Sequence, residues 1–203
     1  MRKGLKWIGI AVLFGMVLYM GSVVRDKQQL GNEVLRLHVV ANSDAADDQA
    51  VKLMVKDAVL KVLNDVTFGA KSKADAQIML ASELERIESA ANAVLDEQGI
   101  TDRARVSLAQ EEFPTRYYDT FTLPAGVYDS LRVTIGEGEG HNWWCVVFPS
   151  LCIPAASDDV ADTAAGAGFS DSLSGAITGE PEYEVRFFLL DVLGQLENFF
   201  HKG

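Results

Sequence analysis

The chain has 203 residues, with 18 Lys and Arg against 29 Asp and Glu and a formal net charge of −11. The charge is split: residues 1–25 hold four bases (Arg2, Lys3, Lys6 and Arg25) and no acid, and the other 178 residues hold 14 bases and 29 acids. An acidic body argues against nucleic acid as a partner, because that role needs basic surface to displace counterions. The hydrophobic share of 48% is ordinary for a globular protein. Two cysteines, Cys145 and Cys152, are too few for a disulfide scaffold and make no zinc site alone.

Residues 7–24 carry no charged side chain, with Arg2, Lys3 and Lys6 before them and Arg25, Asp26 and Lys27 after. Eighteen helical residues span about 27 Å, close to the ~30 Å hydrocarbon core. Bases first and an apolar run second is the order of an export signal or a signal anchor. Residues 1–25 are therefore read as a signal anchor or signal peptide. The length of the run favours an uncleaved anchor. Residues 26–32 read as a juxtamembrane linker.

The exported body begins with a strand over 33–41, where Leu35, Leu37, Val39 and Ala41 point one way and Arg36 and His38 the other. Asn42, Ser43 and Asp44 break it and are N-cap candidates. Val51, Val55, Val59, Val62, Leu63 and Val66 then keep helical spacing, and a second helix covers about 73–98, closed by Gly99. From Ala104 the period falls to two. Four further strands follow around 104–108, 121–123, 131–135 and 143–148, punctuated by Pro114, by Pro124-Ala125-Gly126 and by Gly136–Gly140. The pattern predicts an α+β domain over 33–154: a mostly antiparallel sheet of about five strands with two helices on one face.

Residues 155–181 hold five acids and no base and read as a flexible acidic linker. Residues 182–203 return to helical periodicity, with Val185, Phe188, Leu189, Val192, Leu193, Leu196, Phe199 and Phe200 on an apolar stripe. That predicts a tethered amphipathic helix that docks on the main domain in the plainer reading, and otherwise packs on a partner or lies on the membrane, an option its few basic residues disfavour.

Gly136-Glu137-Gly138-Glu139-Gly140 is not a phosphate loop. A strand rather than a helix follows it, and its glutamates repel phosphate. A glycine hairpin between strands is the plainer account. His141, four residues before Cys145, raises a Cys/His nucleophile, but no third orienting group is evident. In an exported domain Cys145 and Cys152 are a disulfide candidate, with buried free thiols as the alternative. Trp143-Trp144 on a strand sends its rings to opposite faces; one fills the core, and the other is covered by another element or serves as a protein-contact anchor. No catalytic residue, metal site or cofactor is expected. The candidate partner contacts are Asn42, Ser43, Asp44, His141, Asn142, Trp143 and Trp144.

The run Leu35–Asp44, the runs Asp47–Leu53 and Val55–Val59, and the block Leu131–Cys152 preceded by Leu123-Pro124-Ala125-Gly126-Val127-Tyr128 resemble the stage II sporulation protein R family. The likeness covers about 33–153. The resemblance implies a signalling protein rather than an enzyme, made in the forespore and exported into the intermembrane space. There it would activate a membrane-embedded aspartic protease of the mother cell that processes the sigma-E precursor. The alternative is an anchored cell-envelope hydrolase using Cys145 and His141.

Overall fold

A computed structural model describes residues 2–149, 163, 166 and 168–201, with side chains from Lys6 onward. Helix α1 (Arg2–Glu33) runs unbroken through the expected linker at 26–32. Its first part is bare: Trp7, Ile10, Phe14 and Val17 are all exposed. Its last turns are core, with Val23 and Leu30 fully buried. The linker expectation failed because Asp26 and Lys27 look solvent-seeking but find ionic partners across the fold.

Strand β1 (Leu35–Val40) follows at once. Helix α2 (Ala46–Val66) buries Val51, Val55, Val59 and Leu63, the predicted stripe. The single helix expected over 73–98 is two, α3 (Lys73–Ser82) and α4 (Leu84–Glu97), broken at Glu83. Ser72 caps α3 by accepting from the Asp75 N–H. Strand β2 (Ala104–Phe113), the short pair β3 (Arg116–Tyr117) and β4 (Thr122–Leu123), β5 (Gly126–Ile135) and β6 (Asn142–Phe148) complete the sheets.

The fold is α+β, but its main sheet has four strands in the order β2-β5-β1-β6, with β3 and β4 as a separate two-stranded ladder. It is mixed rather than mostly antiparallel. β1 runs parallel to β5 and antiparallel to β6. The topology explains why. Helices α2–α4 carry the chain from β1 to the edge strand β2, and β5 returns antiparallel to β2 over ten paired residues, filling the place beside β1. The glycine segment between β5 and β6 then steps across the end of β1, so β5 and β6 flank it and do not pair.

Both sheet faces are covered, so all six residues of β1 are buried. On one face Leu35, Leu37 and Val39 pack with Leu131, Val133, Cys145 and helices α2–α4. On the other, Phe113, Tyr128 and Val146 pack under α1, α5 (Asp171–Thr178) and α6 (Glu184–His201). Leu173 and Ile177 of α5 are fully buried, so the acidic stretch at 155–181 ends in a packed helix and not in a linker. Most of 150–167 lies outside the described residues.

Helix α6 docks on the domain, as the plainer reading of its periodicity expects, but through another face than the apolar stripe. It buries Arg186, Leu190 and Gly194 and leaves Val185, Phe188, Leu196, Phe199 and Phe200 of the expected apolar stripe exposed.

Candidate functional site

The end of β1 is the best-built polar feature of the surface. Asn42 Oδ1 accepts the Glu137 backbone N–H at 3.0 Å, while the Glu139 and Gly140 N–H groups donate to the carbonyls of Asn42 and Ala41. The glycine segment thus lies flat on the break after β1. A Cβ at Gly140 would sit 2.2 Å from the Ser43 carbonyl oxygen, and one at Gly136 would sit 2.3 Å from Asn42 Oδ1. Those approaches, with the positive φ of Gly136, are what the glycines supply.

The three polar residues after β1 do not cap α2 as expected. Its N-cap is Ala45, which makes no side-chain cap. Instead Ser43 Oγ donates to Asp48 Oδ2 at 2.6 Å and Asn42 Nδ2 to the same oxygen at 3.1 Å. Asp44 Oδ1 accepts the His141 backbone N–H at 2.6 Å and also the His141 imidazole. These hydrogen bonds hold the Asp44 carboxyl below the usual carboxylate range. Lys52 of α2 donates to the His141 carbonyl at 2.9 Å, and burial pushes its amine down.

Six of the seven predicted contacts, Asn42, Ser43, Asp44, His141, Asn142 and Trp144, therefore meet at one end of the sheet. Four of them, Asp44, His141, Asn142 and Trp144, border a cleft of about 360 Å³ that Arg116, Glu139 and Gly140 also line. Trp143 does not join them. Strand alternation sends it to the helical face, where Lys56 lies 5.2 Å from its ring centroid. Trp144 stacks on His38 at 3.8 Å, meets Phe113 edge-on at 4.7 Å, and lies under Arg116 at 5.0 Å.

Sequence reasoning missed the layer beneath. Arg36 and His38 alternate as if facing solvent, yet they are 0% and 5% exposed. Arg36 lies 4.1 Å from the Phe113 ring centroid and donates to the Tyr118 hydroxyl at 2.8 Å. His38 Nδ1 donates to Glu111 Oε2 at 3.3 Å, and Arg132 Nη1 donates to Glu111 Oε1 at 2.7 Å. Burial opposes ionisation of Glu111, but these hydrogen bonds outweigh it and bring its pKa to about 2. The available signal was the aromatic content of the neighbouring strands, Phe113, Tyr128 and Trp144, which marks a covered face.

Cys145 is buried on the helical face and is disulfide-bonded. Cys152, the other cysteine of the chain, lies outside the described residues. A bonded Cys145 offers no thiolate, and the His141 ring is turned to Asp44, so the hydrolase alternative loses its nucleophile. Among the described residues no group of three or more His, Cys, Asp or Glu side chains could hold a metal.

A family model described as stage II sporulation protein R matches residues 31–158. The chain belongs to the stage II sporulation protein R family. The matched span contains β1, the glycine segment and every candidate contact, whereas α5 and α6 lie beyond it. A curated relative named stage II sporulation protein R, from Bacillus subtilis (strain 168), is 35% identical over 121 residues, which are 60% of this chain and 54% of the relative. The aligned stretch is thus about half the length of that relative. No solved structure matches. Membership supports a role in sporulation. Helix α1 is long and apolar enough to cross a membrane and is compatible with an anchor or a signal sequence.

Proposed function

We propose that the chain is an exported sporulation signal that activates a membrane-embedded aspartic protease, which then processes the sigma-E precursor. In this reading it is made in the forespore and delivered into the intermembrane space, and it acts by binding rather than by catalysis. The observation that carries the proposal is the convergence of Asp44 with His141, Asn142 and Trp144, far apart in sequence, on one exposed cleft that Asn42 stiffens from behind by accepting the Glu137 N–H. A surface held by backbone hydrogen bonds and glycine contacts is pre-organised, which lowers the entropic cost of recognition. The apolar first part of α1 supplies the export element. We also propose that Cys145 pairs with Cys152, which suits an oxidising compartment.

The test presents the full chain in nanodiscs to the protease reconstituted in vesicles and scores precursor cleavage. Cleavage that depends on the chain and falls at least about tenfold with Asp44→Ala supports direct activation through this cleft, since loss of an interface anchor costs about 1–2 kcal/mol or more. Absence of cleavage with active protease and folded chain sinks the direct-activator reading.

A further inference from the structure

Helix α6 lies beyond the matched family span and leaves an apolar stripe exposed. Arg186, in its first turn, fixes its height along α1. Arg186 Nη2 donates to Ser22 at 3.2 Å, and the guanidinium lies 5.7 Å from the Tyr19 ring centroid. Both partners belong to the uncharged run 7–24. At ~1.5 Å per helical residue, Ser22 lies about 3 Å and Tyr19 about 8 Å inside the end of that run. Farther along, Glu197 accepts from Lys27, and Phe200 and His201 share a cleft with Gly31 and Asn32. Helix α6 therefore starts beside the last turn of the apolar run and leads away from it.

We propose that the first turns of α6 enter the headgroup layer of the bilayer that α1 spans, with Val185 and Phe188 as the side chains that meet lipid. A bilayer around residues 7–24 surrounds α1 on every side at the height of Ser22, and its headgroup layer reaches roughly 5–7 Å beyond the hydrocarbon. Side chains held against α1 at that height and exposed on the fold have lipid and interfacial water as neighbours, and Val185 and Phe188 are both exposed. The charges set the depth. Glu180, Glu182 and Glu184 are exposed at the same turn, and carboxylates are costly in hydrocarbon. Lys27 and Arg186 are already paired with Glu197 and Asp26. The contact is thus shallow and apolar and gains nothing from anionic lipid. The few bases of α6 are no obstacle, because α1 holds the helix at the surface and a high local concentration replaces electrostatic capture. Phe199 and Phe200 carry similar apolar surface at the far end of α6 and stay in water. Together with α1 this contact fixes the orientation of the domain on its own membrane. The inference rests on α1 as a retained anchor; it does not depend on the protease.

The experiment attaches the environment-sensitive fluorophore NBD to single added cysteines of the full chain in phosphatidylcholine nanodiscs: Phe188→Cys, Phe199→Cys and, in the anchor, Val12→Cys. All three positions are exposed, so the fold tolerates the label. Labelling without reductant spares the bonded Cys145, and the wild-type chain is the labelling control. The readout is quenching by lipid spin-labelled at the headgroup, by lipid labelled deep in the acyl chain, and by aqueous iodide. The expected result is deep-label quenching at the Val12 site, headgroup-label quenching at the Phe188 site at least about twofold stronger than at the Phe199 site, and iodide quenching in the reverse order. Equal headgroup quenching at the Phe188 and Phe199 sites, with the Val12 site quenched from within the bilayer, overturns the proposal and leaves the anchor standing. Loss of deep-label quenching at the Val12 site overturns the anchor and the proposal with it. Contact at the Phe188 site that appears only when phosphatidylglycerol is added overturns its apolar basis.

Discussion

Arg186 of α6 donates from Nε to Asp26 Oδ2 of α1 at 2.6 Å, and both side chains are buried. The bond joins the last turns of the apolar helix to the helix at the other end of the sequence. Arg186 Nη2 also reaches Ser22, and Lys27 pairs with Glu197 at 2.6 Å. The α1 segment that would leave a membrane is thus part of the folded domain. Removing one partner of a buried pair leaves an unpaired charge, at a cost of about 3–5 kcal/mol. Asp26→Leu should therefore lower stability by several kcal/mol in chemical denaturation. The double variant Asp26→Leu with Arg186→Met should recover most of the loss. A double variant as unstable as the single one would show that the pair does not act as a unit.

The glycine segment gives a sharper contrast. Gly140→Ala places a Cβ 2.2 Å from a backbone oxygen that has nowhere to go, and overpacking of this kind costs about 1–3 kcal/mol. Gly31, in α1 with open space around it, should gain up to about 1 kcal/mol on replacement by Ala because helix propensity improves. Gly140→Ala should also free His141 from Asp44. Denaturation midpoints for the two variants, with amide exchange at His141, check both statements. Equal effects would mean that the segment is not clamped.

The acid limb of the stability profile should carry Glu111. Its folded pKa of about 2 lies below its ordinary value near 4.5, so its contribution is present above the ordinary value. That contribution is lost as the pH falls from about 4.5 toward 2. Glu111→Gln should cost about 2 kcal/mol at neutral pH, where the wild type has charged hydrogen bonds to lose. The variant should converge on the wild type near pH 2. A gap that stays constant from pH 7 to pH 2 would place the stabilisation elsewhere.

What the sequence made legible follows the range of each interaction. Helix α2 and the inward face of β1 were readable because Val51, Val55, Val59 and Leu35, Leu37, Val39 state their period locally. The contacts after β1 were singled out, but their bonding was not, since Asn42 and Asp44 spend their oxygens on residues 95 and 97 positions away. The mixed sheet was missed because a short β5–β6 connection suggests neighbours, and nothing local says that β1 lies between them. Arg36 and His38 were misjudged for the same reason. Period two separates faces, but it does not tell a wet face from one covered by α1, α5 and α6.

Helix α6 shows the same limit and offers a direct check. Its most apolar stripe contains Phe188 and Phe199, which are 64% and 73% exposed. The docked face is Arg186, Leu190 and Gly194, where Arg186 is neutralised by Asp26 and Gly194 lets the helix meet the Ala125 carbonyl. Asp191 adds to that face by accepting the Ala125 N–H at 2.8 Å. Counting apolar residues could not find this face, because one of its three members is a cation and another has no side chain. Leu190→Ala should cost about 2–5 kcal/mol, as expected for a fully buried leucine. Phe199→Ala should stay within about 0.5 kcal/mol of wild type, because a surface side chain has little packing to lose. Paired urea titrations of the full chain in nanodiscs decide it. If Phe199→Ala were the costlier change, α6 would be docked through the opposite face.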